Sequence, residues 1–132
     1  MTALLLDTTV LIDAERDQEQ LDRLVADDDT VAIAAITAAE LLVGVHLATQ
    51  RHRALRQAFA DAVLDVIPIL PYDVDVAVVH AELLAETHRS GRRRGAHDLI
   101  IAATARASNR TVITADPTGF DGLTDVSIAT YS

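Results

Sequence analysis

Ala3-Leu4-Leu5-Leu6-Asp7 is the stretch that decides the fold: four apolar residues in a row, closed by an acid. A strand buried on both faces loses the apolar–polar alternation of a half-exposed one. A short continuous apolar run of this kind therefore reads as an inner strand of a parallel sheet. Working outward, residues 9–15 predict a short helix, and residues 18–26 a second with Leu21, Leu24 and Val25 at helical spacing. Asp27-Asp28-Asp29 breaks that pattern and reads as a solvated loop. Residues 31–36 predict a second buried strand. Thr37-Ala38-Ala39-Glu40 then matches a capping box opening a helix through Leu41, Leu42, Val45 and His46. A further helix covers 50–62. Residues 66–70 predict a third strand, where Pro68, lacking an N–H, marks an edge or a strand end. Residues 74–88 form a long amphipathic helix, Ser90-Gly91-Arg92-Arg93-Arg94-Gly95 a basic loop, 98–107 an apolar helix and 110–114 a fourth strand. After a turn at Asp116-Pro117-Thr118-Gly119, residues 126–129 predict the last strand. Strands alternating with helices give an α/β sandwich around a parallel sheet. No linker or internal repeat divides the chain, so residues 1–132 read as a single domain.

Composition narrows the chemistry. Half of the 132 residues are apolar, enough for one core without crosslinks, and the absence of cysteine excludes disulfides and thiolate metal sites. No apolar stretch approaches the ~18 residues that span a bilayer, and the N-terminal run lacks the basic flank of a signal peptide, so a soluble, cytoplasmic chain without membrane contact is expected. The net charge is −9, from 15 Asp and 5 Glu against 11 Arg and no Lys. Such a balance disfavours sequence-independent nucleic-acid binding by the chain as a whole. The missing lysine removes both Schiff-base chemistry and the phosphate-binding lysine of a P-loop.

Four acids fall where a parallel sheet gathers its ligands, beyond the carboxyl ends of strands. Asp7 ends the first strand, Glu40 sits in the first turn after the second, Asp98 opens a helix, and Asp116 follows the fourth strand by two residues. Crowded carboxylates repel, so a cluster of them calls for cations or for protonation. Oxygen ligands without His or Cys favour magnesium or manganese. Each acid also has a structural reading: Asp7 as a helix cap, Glu40 as the capping-box partner of Thr37, Asp98 as a favourable charge at a helix N-terminus, and Asp116 as a turn starter.

Read together, Leu6-Asp7-Thr8-Thr9-Val10-Leu11-Ile12-Asp13, the stretch from Thr37 through Glu40 to Val45, Asp98-Leu99-Ile100-Ile101-Ala102-Ala103-Thr104-Ala105, and Val112-Ile113-Thr114-Ala115-Asp116 resemble the four ordered motifs of the PIN domain family. Chain length and the short N-terminus further resemble the VapC toxins of bacterial toxin–antitoxin pairs. The resemblance implies a PIN-like three-layer sandwich with a central, mainly parallel sheet of four to five strands flanked by helices. It implies a Mg2+- or Mn2+-dependent endoribonuclease, with one or two ions held by Asp7, Glu40, Asp98 and Asp116. Thr8, Thr9 and Thr114 would orient these acids, and Asp121 is a candidate further acid. The partners implied are an RNA substrate, a VapB-like antitoxin that wraps the chain, and a second copy in a homodimer or a higher toxin–antitoxin assembly. One departure is His97, which stands where a small polar residue is usual.

The remaining charges divide. Arg92, Arg93 and Arg94 lie just upstream of Asp98 and could grip RNA phosphates or simply be solvated. Arg51, Arg53 and Arg56 sit at helical spacing and read as a solvated face or an antitoxin contact. The helical histidines His46, His52, His80 and His88 show no metal-ligand pairing. Three other readings compete. A dehalogenase-type phosphatase needs an acid where Thr9 stands. A receiver-like phosphoacceptor needs a lysine that is absent. A PIN fold serving only as a binding or autoregulatory module would not need the full set of acids.

Overall fold

Leu4, Leu5 and Leu6 are all buried, as an inner strand requires. They form β1 (Ala3–Leu6) of a computed structural model that describes residues 2–17 and 29–130. The expected helix at 18–26, the loop residues Asp27 and Asp28, and Tyr131 lie outside the described residues. The other strands are β2 (Thr30–Ala34), β3 (Ile69–Leu70), β4 (Thr111–Thr114) and β5 (Ile128–Thr130). They pair in the order β3-β2-β1-β4-β5, every pairing parallel. Among the described residues the helices are α1 (Thr8–Arg16), α2 (Ala35–Leu47), α3 (Gln50–Val66), α4 (Val74–Ser90) and α5 (Ala96–Ala107).

The period-two geometry of the strands splits the core into two layers of contact. Leu5, Ala32, Ala34 and Val112 cluster with Leu83 of α4, Leu99 and Ile101 of α5, and Phe120. Leu4, Leu6, Ile33 and Ile113 cluster on the opposite face with Val10 and Leu11 of α1 and Val63 of α3. Each fully buried aliphatic side chain contributes about 1.5–3 kcal/mol, so burial on both faces holds the sheet against its helices. The result is the three-layer sandwich expected from the sequence.

Several boundaries differ from the sequence reading by a few residues (α5 starts at Ala96 rather than Asp98, and β5 at Ile128 rather than Val126), and the end of β2 matters for function. Strand β2 stops at Ala34 and α2 begins at Ala35, two residues before Thr37, with Ala34 as a cap that offers no side chain. Glu40 is therefore inside the helix and is not a capping-box partner. Helix α3 runs to Val66, which leaves only Ile69 and Leu70 to pair as the edge strand. Pro68 immediately precedes them, and its carbonyl accepts from Ile33 N at 3.0 Å. Arg53 and Arg56 are also partly committed: their guanidinium groups donate to the carbonyls of Ala48 (3.2 Å) and Gly44 (3.4 Å) at the end of α2, where free carbonyls attract cations.

The strand order locates the site. The chain builds β1, β2 and β3 towards one edge and then returns, so β4 lies on the other side of β1. The reversal opens a crevice beyond the carboxyl ends of β1 and β4. Asp7 follows β1 directly, its backbone N donating to Ile113 O at 2.9 Å, and Asp116 follows β4 by two residues.

Candidate active site

Asp7 is the most firmly held of the four acids. Only 3% of it is exposed. Its Oδ1 accepts from Thr8 N at 2.8 Å, capping α1, while its Oδ2 accepts from Thr9 Oγ1 at 2.9 Å and Thr114 Oγ1 at 2.8 Å. A hydroxyl has one proton, so both threonines spend theirs on Asp7 and offer lone pairs elsewhere. Thr9 Oγ1 accepts from Ala115 N at 3.1 Å, and Thr114 Oγ1 accepts from Asp116 N at 3.0 Å. The same two hydroxyls thus fix the carboxylate after β1 and the backbone that presents Asp116.

Glu40 reaches the cluster from α2. Its Oε1 accepts from Thr8 Oγ1 at 2.9 Å, and its Oε2 lies 3.6 Å from His97 Nδ1. Fully buried Thr37 stands behind Thr8, its hydroxyl 3.4 Å away. Asp98 is half-buried in the first turn of α5, where a negative charge is favoured by the helix dipole. Burial nevertheless pushes its carboxyl above the usual range, followed by repulsion from Asp7, Glu40 and Asp116, with His97 opposing. All three other acids therefore bear on Asp98. Asp116 caps a short 3-10 turn, Pro117–Gly119, with Oδ1 accepting from Thr118 Oγ1 at 2.6 Å and Thr118 N at 3.3 Å.

The structure brings these four together and leaves other candidates aside. Asp121, the expected further acid, pairs instead with Arg92 at 2.7 Å and with Arg94 at 3.6 Å. Those arginines are held by the same loop, which leaves Arg93 as the exposed member of the triplet without a partner among the described residues. Two residues unmarked in the sequence reading also shape the site. A Cβ on Gly95 would stand 3.0 Å from Asp98 Oδ2, and one on Gly119 would stand 2.6 Å away. Glycine at 119 lets the loop after β4 close directly on the Asp98 carboxylate. A turn-forming Gly beyond Pro117 was the only hint of this.

Among the described residues no three His, Asp or Glu side chains close tightly enough, as placed, to enclose an ion. The donors still fit a hard divalent cation. They are oxygen only, they converge from four elements, and Asp98 carries a repulsion that a cation would relieve.

Two outcomes follow from this geometry. The folded-state pKa of Asp98 lies above its unfolded value, so the carboxylate penalises the metal-free fold at neutral pH. The penalty fades as pH falls through the folded pKa towards the ordinary carboxylate value. Metal-free Asp98→Asn should therefore melt above the parent chain at pH 7, with the gap narrowing as pH falls. A gap that widened on acidification would reverse the sign. Thr114→Val keeps the shape but strips Asp7 of one donor and Asp116 N of its acceptor. It should lower stability by about 1–3 kcal/mol, read by chemical denaturation.

Comparison with known proteins matches this arrangement to a family. The family model described as PIN domain covers residues 4–123, which include all four acids. The chain belongs to the PIN domain family. Among PIN domain relatives, Ribonuclease VapC5 of Mycobacterium tuberculosis is 40% identical over 126 residues, 93% of this chain and 91% of the relative. Toxin FitB of Neisseria gonorrhoeae is 34% identical over 127 residues, 89% of this chain and 90% of its own length. In the crystal structure of VapBC-5, a member of the VapBC family of toxin–antitoxin systems from Mycobacterium tuberculosis, the matching chain superposes with a TM-score of 0.82 at 39% identity, covering 99% of this chain and 100% of that one.

Proposed function

We propose that this chain is a divalent-metal-dependent endoribonuclease, the toxin of a toxin–antitoxin pair, which hydrolyses RNA phosphodiesters to 5′-phosphate and 3′-hydroxyl ends. The observation that carries the reading is the placement of Asp7, Glu40, Asp98 and Asp116 by four separate elements, with Thr8 bonded to both Asp7 and Glu40 and the loop that presents Asp116 closing on Asp98 through Gly119. The ribonuclease and toxin names of the VapC5 and FitB relatives support it. Asp7, Glu40, Asp98 and Asp116 would hold magnesium or manganese, as one or two ions. A cation there supplies Lewis acidity, lowering the pKa of water and offsetting charge on the phosphoryl group.

The protein's own groups divide the remaining work. Asp7 is held in one orientation by three donors, Thr8 N, Thr9 Oγ1 and Thr114 Oγ1. Thr8 fixes Oε1 of Glu40 and leaves Oε2 on the His97 side of the crevice. Arg93 stands exposed three residues before the start of α5 and would meet an RNA phosphate near Asp98. With water as the attacking group and the 3′ oxygen as the leaving group, the ribose 2′-hydroxyl takes no part, and the phosphate remains on the 5′ carbon of the downstream fragment.

A groove of about 710 Å³ runs from Glu40 between α1 and α3, lined by apolar Ile12, Leu55 and Phe59 with Arg16 and Arg56 at its rim. It suits an antitoxin segment carrying apolar side chains and a basic one for Glu40, in keeping with the net acidic chain. Exposed Val74 and Val78 on α4 offer an apolar surface to a second copy. No helix among the described residues is long and apolar enough to cross a membrane. The purified chain should cleave RNA with Mg2+ or Mn2+ and stop when chelator is added. Activity that persists in chelator, or products ending in a 2′,3′-cyclic phosphate, would overturn the water route.

A further inference from the structure

Arg94 is a charged side chain only 5% exposed, an arrangement that is costly unless the charge is paired and hydrogen-bonded. Its Nη1 donates to Thr118 O at 3.4 Å and its Nη2 to Asp121 O at 2.5 Å. Arg92 reaches the same two residues. Its Nη2 donates to Thr118 O at 3.0 Å and Asp121 Oδ1 at 2.7 Å, and its Nη1 to Asp121 O at 3.3 Å. Both guanidinium groups lie at ordinary contact distance from where a Cβ on Gly122 would stand, and its φ of +80° suits the residue without one. The two arginines thus tie the segment leading into α5, which carries Asp98, to the loop after β4, which carries Asp116.

We propose that Arg92 and Arg94 are positioning residues for the four-carboxylate site, and that Asp121 is the acceptor of their brace and not a fifth ligand. The inference rests on the reading of those carboxylates as a metal site. The path is short and continuous. Thr118, whose carbonyl both arginines hold, uses its own N and Oγ1 to hold Asp116 Oδ1. The next residue, Gly119, is the one pressed against Asp98 Oδ2. Loosening the brace frees Asp116 and Gly119 together, and the gap between the Asp98 and Asp116 walls widens. Charge-assisted bonds from a planar guanidinium fix that spacing better than a lysine could.

The test is a double-mutant cycle on Arg92 and Asp121 in the full chain, read as Mn2+ affinity by electron paramagnetic resonance, with melting temperature measured alongside. Arg92 is the informative arginine because it is half-exposed, whereas loss of buried Arg94 threatens the fold itself. Arg92→Ala and Asp121→Asn should each weaken Mn2+ binding about 10-fold, the range for an outer partner of a ligand, and the double variant should be no weaker than the worse single. Arg94→Lys should fall between the parent chain and Arg92→Ala. Unchanged Mn2+ affinity in both single variants, with only the melting temperature lowered, would make the brace purely structural and overturn the proposal. A loss confined to Asp121→Asn would overturn it by making that acid a ligand. A parent chain that binds no Mn2+, like Asp98→Asn, would overturn this proposal and the metal reading together.

Discussion

Asp98→Asn is expected to lower RNA cleavage by more than about 100-fold while leaving the fold intact. Losing an outer partner of a metal ligand costs about 10–100-fold, and loss of a charged ligand should exceed that. The substitution is nearly isosteric and replaces a carboxylate with a neutral amide, a much poorer donor to a hard cation. It also removes the group on which Asp7, Glu40 and Asp116 converge. Among the described residues Asp98 makes no ion pair, and burial and the neighbouring carboxylates both disfavour its ionised form. Cleavage and stability should therefore move in opposite directions. Rates on a structured RNA, with melting curves on the same samples, check both. Cleavage within a few-fold of the parent chain would remove Asp98 from the site.

The largest effect on stability is expected at Phe120. Its side chain is 1% exposed and joins the core cluster with Leu5, Leu83 and Leu99, directly after Gly119 and before Asp121. Truncation of a buried Phe to Ala costs about 3–5 kcal/mol through lost transfer energy and the cavity left behind. A domain of this kind has only about 5–15 kcal/mol in total. Phe120→Ala should lower the denaturation midpoint accordingly with an unchanged slope. It should also impair cleavage in the molecules that remain folded, since Phe120 pins the loop carrying Asp116. A loss below about 1 kcal/mol would mean that the loop is anchored elsewhere.

The sheet was legible because its inner strands are short apolar runs with polar ends. The β1 run ending at Asp7 needed no tertiary information. Glu40 was harder. Val31-Ala32-Ile33-Ala34-Ala35-Ile36 is apolar throughout, and such a run does not show where a buried strand becomes the first turn of a buried helix. Thr37 and Glu40 then imitated a capping box, although Thr37 is buried behind Thr8 and Glu40 bonds across to Thr8. The third strand shrank because α3 continued to Val66 and Pro68 has no N–H for the ladder. Arg92 and Arg94 were illegible for a different reason. Their main acceptors are carbonyls of Thr118 and Asp121, at least 24 residues away, and a backbone carbonyl leaves no signature in sequence. A basic triplet between glycines therefore reads equally as a phosphate grip or a solvated loop, and neither reading anticipates bonds to the loop after β4.

The most direct test of a four-carboxylate ribonuclease is a map of RNA 5′ ends in cells after brief expression of the intact chain, set against Asp98→Asn. The expected result is a discrete set of new 5′-phosphate ends with the intact chain and none with the variant. The same ends with both proteins, or new ends bearing a 5′-hydroxyl, would contradict it.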